Sequence, residues 1–79
     1  MSVQAGQFYR HYKNGITYLI LTIAIHTETQ EEMIVYQDTS APEKIWTRSR
    51  AMFEEEIIVD GKTAKRFMRV SSPDVTAAA

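Results

Sequence analysis

The sequence predicts an all-β fold: a small SH3-like β-barrel of five to six antiparallel strands with one short helical turn. Three observations lead there. The run Ile16 to His26 is dense in β-branched and aromatic residues and contains neither glycine nor proline, which is the composition of a long strand. Asn14-Gly15 and Asp60-Gly61 are hairpin signals, because these residue types tolerate positive φ at little cost. Several short strands spaced by such turns in a short chain suit a small closed or half-open barrel. An oligonucleotide-binding-type barrel ranks second, since its strands usually need more residues.

The elements follow in chain order. Residues 1–6 hold one branched apolar side chain, Val3, and are expected to be a flexible N-terminus. Phe8 to Tyr12 reads as a short strand, and Lys13-Asn14-Gly15 turns it into the long one. Period two divides the long strand into two faces. Leu19, Leu21, Ile23 and Ile25 form an unbroken apolar row expected to fill the interior, while Tyr18, Ile20, Thr22, Ala24 and His26 form a mixed row. Thr27 to Glu31 is polar and reads as a turn, and Glu32 to Gln37 as a third strand, antiparallel because its connection is short.

Asp38 to Lys44 reads as a loop, since Pro42 has no amide hydrogen for a ladder and Asp and Ser bond to nearby backbone. Ile45 to Arg48 is a brief fourth strand. Ser49 is placed to cap a single helical turn over Arg50 to Glu54, with Met52 and Phe53 facing down. Ile57 to Val59 and Thr63 to Val70 are the fifth and sixth strands, joined at Asp60-Gly61. Residues 7–70 thus form one β-barrel domain, and residues 71–79, with Pro73 and three terminal alanines, a disordered tail.

Composition narrows the function classes. The chain has 79 residues, 44% hydrophobic and 24% charged, so it holds one small globular domain with a thin core. It has no cysteine, which excludes disulfides, thiolate metal sites and a catalytic thiol. No segment reaches the roughly 18 apolar residues of a membrane span, and the first residues lack the basic and apolar regions of a signal peptide. A cytoplasmic location is expected. The net charge of −1 argues against a protein built to coat nucleic acid. Basic ends, with Arg10 and Lys13 at one and Lys62, Lys65, Arg66 and Arg69 at the other, flank an acidic middle.

Three constellations could carry chemistry. Arg10, His11, Tyr12 and Lys13 sit beside a hairpin, and an arginine there can fork onto a carboxylate or phosphate. The bland alternative is an edge strand that uses charge to discourage pairing. His26 and Glu28, if extended, lie on one side of the chain, where an imidazole could be oriented against a carboxylate; a local strand-end histidine is the simpler reading. Trp46 and Arg48 alternate on one face and, with Tyr12, Tyr18 and Tyr36, could form an aromatic and basic surface, or Trp46 could complete the core. The acidic run Glu54-Glu55-Glu56 reads as a solvated face. A Gly-rich phosphate loop, a Ser-centred nucleophile elbow and a His-Glu-x-x-His helix are all missing from the sequence, so no cofactor, metal site or catalytic residue is assigned. The leading expectation is a non-enzymatic binding module for an anionic small molecule, nucleotide or peptide, with Arg10, His11, Tyr12, His26, Glu28, Trp46 and Arg48 as ligand-binding candidates. The alternatives are a structural or assembly protein acting through an edge strand, as a homodimer or an accessory to a protein partner, and a small enzyme using His26 and Glu28.

The blocks Tyr9-Arg10-His11-Tyr12-Lys13, Ile23 to Thr29 with its His-Thr-Glu-Thr run, Val35-Tyr36, Ile45-Trp46-Thr47-Arg48 and Met52-Phe53 together resemble the small bacterial domain of unknown function 1653 family, from about Phe8 to Val70. Ser49 stands where that family commonly has proline. The resemblance implies an SH3-type barrel in a bacterial protein and implies no activity.

Overall fold

Local chemistry sets the turns and register sets the faces. The computed structural model describes residues 3–71. Its elements are β1 (Phe8–His11), β2 (Thr17–Ile25), β3 (Glu32–Asp38), β4 (Ala41–Ser49), α1 (Arg50–Phe53), β5 (Glu56–Val59), β6 (Lys62–Lys65) and β7 (Phe67–Val70). Five strands form one antiparallel sheet in the order β4-β3-β2-β1-β7, and β5 and β6 form a separate hairpin. This corrects the SH3-like barrel expected from sequence. The end strands β4 and β7 are not paired with each other, so the sheet is open, and β5–β6 stands outside it.

The Asp60-Gly61 turn is as the dipeptide demands. Both residues have positive φ, 52° and 77°, and Val59 pairs with Lys62 directly across them, the two-residue geometry that matches strand twist. Asn14-Gly15 works differently. Only Gly15 takes positive φ; the loop closes through Gly15 N–H to the His11 carbonyl and His11 N–H to the Ile16 carbonyl, and the Asn14 side chain accepts from Ile16 N–H at 2.8 Å.

The inward row of β2 also departs from expectation. Ile20 pairs with Tyr36 and Thr22 with Val35, so Leu21 is an extra residue opposite a single step of β3. Such a bulge inverts the alternation of faces. Tyr18 and Ile20 face inward before it and Ile23 packs against the core after it, while Leu21 is 37% exposed. Leu19 pairs with Gln37 on the outer face. A strand read with one unbroken period of two cannot show this.

Two further boundaries move. The expected loop 38–44 shrinks to a tight turn at Thr39-Ser40, where Asp38 accepts from Ser40 N–H at 2.8 Å and Ser40 hydroxyl at 2.7 Å. Asp38 pairs with Ala41 and Gln37 with Ile45, so Pro42, Glu43 and Lys44 bulge out of the ladder. Proline is tolerated there because β4 is an edge strand. The expected sixth strand is in fact two, broken at Arg66: β6 pairs with β5 and β7 with β1. Arg66 bridges the break, its N–H donating to the Glu55 carbonyl and its guanidinium to the Glu55 carboxylate at 2.9 Å.

Ser49 caps α1 as expected, accepting from Met52 N–H at 3.2 Å. The helical turn drops Phe53, but not the exposed Met52, onto the sheet. The core is an aromatic cluster. Phe53 stacks on Phe67 with ring centroids 4.0 Å apart, and Tyr9, Tyr18 and Tyr36 meet these rings edge-on, a geometry the ring quadrupole favours. Val3, expected in the flexible N-terminus, is buried in this cluster, and its N–H donates to Glu54 at 3.1 Å. Of the expected disordered tail at residues 71–79, all but Ser71 lies outside the described residues.

Candidate functional site

Register carries three of the sequence-predicted residues to one place. Side chains directly opposite on antiparallel strands share a face. Trp46 is opposite Tyr36, which is opposite Ile20; Arg48 is opposite Ile34; His11 is opposite Phe67. All lie on the inner face. His11, Trp46 and Arg48 line one open cleft with Tyr18, Tyr36 and Phe67, of about 200 Å³. Strand β4 supplies the tryptophan and arginine, β1 the histidine, and the aromatic core its floor.

The electrostatics of the cleft are one-signed. The Arg48 guanidinium lies over the Phe67 ring, 5.7 Å from its centroid, and makes no ion pair among the described residues. The His11 ring meets Phe67 edge-on at 5.0 Å and Tyr12 at 5.0 Å. Burial holds the His11 imidazole below its ordinary pKa, and the positive charges of Arg48, Arg66 and Lys13 push the same way. Asp38, also inward, is held below the usual carboxylate range chiefly by the Ser40 hydroxyl bond, so its charge is engaged in the turn. Trp46 is 49% exposed: it forms a wall of the cleft and does not complete the core.

The other candidates are not brought in. Arg10 is opposite Thr17 and Met68, on the outer face, and its Nε donates to the Gly15 carbonyl at 3.2 Å. Tyr12 is exposed beside the His11 ring, at the rim. His26 and Glu28 sit in the turn at the opposite end of β2, roughly 25–30 Å of extended chain from Thr17. There His26 Nδ1 accepts the N–H groups of Glu28 and Thr29 at 3.2 and 3.3 Å, and the Glu28 carboxylate makes no hydrogen bond to the imidazole. Among the described residues no group of three or more histidines and carboxylates could hold a metal ion.

Sequence reasoning missed a larger concavity of about 540 Å³, whose walls include Val3, Tyr9, Phe53, Lys65 and Arg69. Its walls include the buried Val3 and the residues on either side of the Arg66 break, Lys65 and Phe67, and neither placement has a local signal. Of its charged walls, Glu54 pairs with Arg50 at 3.1 Å and Lys65 lies 3.9 Å from Glu56, while Arg69 makes no ion pair among the described residues. No described helix is long and apolar enough to cross a membrane.

No curated protein and no solved structure was found to match the chain. A family model does match it, over residues 7–69, from the strand before the His11 turn through β7. The chain therefore belongs to the family described as "Protein of unknown function (DUF1653)".

Proposed function

We propose that the protein is a non-enzymatic binding module that grips an anionic group together with an adjacent flat ring, at the cleft of His11, Trp46 and Arg48. The observation that carries this reading is the Arg48 guanidinium, without an ion pair among the described residues, beside an imidazole already crowded by cations, with the half-exposed face of Trp46 next to it. A cation without a partner in a partly dry, aromatic surround favours an anion more than a solvated lysine does. Size limits the ligand. Pockets that enclose a small molecule run to about 300–1,000 Å³, so a cleft of about 200 Å³ suits one end of a nucleotide or a carboxylate side chain of a peptide. The larger concavity is a poorer anion site because the Glu54 carboxylate is part of its wall and meets an anion with its own sign.

Chemical-shift perturbation with inorganic phosphate, a nucleoside monophosphate and an acidic peptide tests this. Signals of His11, Trp46 and Arg48 are expected to move more than the rest, and Arg48→Ala to weaken binding about tenfold or more, as loss of a charge-assisted hydrogen bond does. If none of the three probes perturbs that cleft above the background of the whole spectrum, the reading is wrong.

A second reading, an assembly protein acting through an edge strand, is favoured by the open sheet, which leaves one side of β4 and one side of β7 without a partner strand among the described residues.

A further inference from the structure

The two halves of β4 differ in how they treat their free edge. Natural edges are blunted by proline, bulges and charge. Pro42, Glu43 and Lys44 supply all three, in the segment that leaves the ladder between Ala41 and Ile45. From Ile45 to Ser49 the strand is regular, paired residue by residue with β3 from Gln37 to Met33. It carries no proline and one charge, and Ile45 and Trp46 are 55% and 49% exposed. The other open edge, β7, is four residues long and bears Arg69. Among the described residues, Ile45–Ser49 is the longer unguarded edge of the five-stranded sheet. The β5–β6 hairpin outside that sheet offers four-residue edges that carry Glu56 on β5 and Lys62 and Lys65 on β6.

Charge selects the occupant and its register. Two copies of this strand can continue one antiparallel sheet about a two-fold axis normal to it, and then residues of like parity face each other. With Trp46 on the axis, Arg48 opposes the second copy's Lys44; with Arg48 on the axis, arginine opposes arginine. Both place like charges opposite, which destabilises a pair. With Thr47 on the axis, each Arg48 opposes the second copy's Trp46, an aromatic face that attracts a guanidinium, and Ile45 opposes Ser49. We propose that the protein forms a symmetric homodimer by β4–β4 pairing with Thr47 on the two-fold axis. Because Trp46 and Arg48 lie on the inner face, the second copy's Arg48 then completes the wall of each cleft. The pairing itself does not depend on the ligand reading.

The test uses the full chain and a residue that touches neither the core nor the cleft. Thr47 is exposed on the outer face, opposite Val35, and in this register alone it opposes itself. Wild type is expected to sediment as a concentration-dependent dimer between micromolar and millimolar chain. Thr47→Lys and Thr47→Glu are each expected to stay monomeric with an unchanged folded spectrum, and an equimolar mixture of the two to dimerise. A wild-type chain that remains monomeric at millimolar concentration overturns the proposal, as does a Thr47→Lys dimer of unchanged affinity. A monomer whose Ile45–Ser49 amides respond instead to an added acidic peptide also overturns it, since the edge then accepts a foreign strand.

Discussion

His11 and His26 are the chain's two histidines, and each accepts the N–H of the residue two positions on through Nδ1. Their local chemistry is the same and their surroundings are not. His26 ends β2 in an exposed turn, where its bonds to Glu28 and Thr29 complete its role. His11 continues the inward row begun by Tyr9, touches Phe67, and shares a cleft with Arg48 and Trp46 from strand β4. A bond between near neighbours is fixed by a few residues of sequence. A field made by Arg48 and Arg66 at His11 exists only after the sheet has formed.

Three experiments separate the two environments. The largest effect is expected from Phe67→Ala. Phe67 is buried, stacked on Phe53, and in contact with His11 and under Arg48, so its removal should cost about 3–5 kcal/mol. In a domain this small that is a large share of the total. Urea denaturation should show the midpoint drop steeply or the fold lost, and a shift worth less than about 1 kcal/mol would sink the idea that this ring organises the cleft.

His26→Ala should cost far less, about 0.5–1.5 kcal/mol for the exposed turn bonds it removes, and should leave phosphate-induced shifts at Arg48 unchanged. Loss of those shifts would mean that the two ends of β2 are coupled and that His26 is not confined to its own turn.

The smallest expected effect is in the pH dependence. The folded state holds His11 below its ordinary value near 6.5, so the unfolded chain takes up the proton first as pH falls. Stability is therefore fully present above about pH 6.5 and declines as pH falls from there toward the folded pKa. His11→Gln should flatten that part of the stability curve, whereas His26→Gln should retain the slope that His11 supplies. Paired urea titrations across this range measure the difference. Asp38 is also held low, so its contribution is lost in a separate, more acidic window below about pH 3.8.

What was legible in the sequence was what a handful of adjacent residues decide. Asp60-Gly61 dictates its turn because both backbones must enter the left-handed region. Ser49 caps α1 because its hydroxyl reaches the third N–H beyond it. The length and strand character of Ile16 to His26 follow from β-branched density. Trp46, Arg48 and His11 were picked out by residue type, and the register of four strands brings them together. Three things were not legible. Leu21 carries no mark of being the extra residue, because its bulge arises from how β2 and β3 fit around Tyr36. The break at Arg66 depends on Glu55, which becomes its neighbour only in three dimensions. Barrel closure is a relation between β4 and β7, and no local pattern in either strand states whether they pair. His26 and Glu28 show the converse: their spacing would align them on an extended strand, but the chain turns at His26 and ties up the ring.

The extra residue at Leu21 has a consequence for how this strand tolerates change over time. A deep substitution scan along β2 should read as two frames spliced in mid-strand. Even positions would resist polar replacement up to Ile20, and the odd position Ile23 would resist it beyond the splice. Deleting Leu21 alone would remove the bulge and leave a single frame, with Thr22 still opposite Val35 and Ile23 still opposite the buried Ile34. A one-residue deletion here is therefore expected to be tolerated better than in a strand of unbroken period, where it would turn every side chain beyond it to the other face.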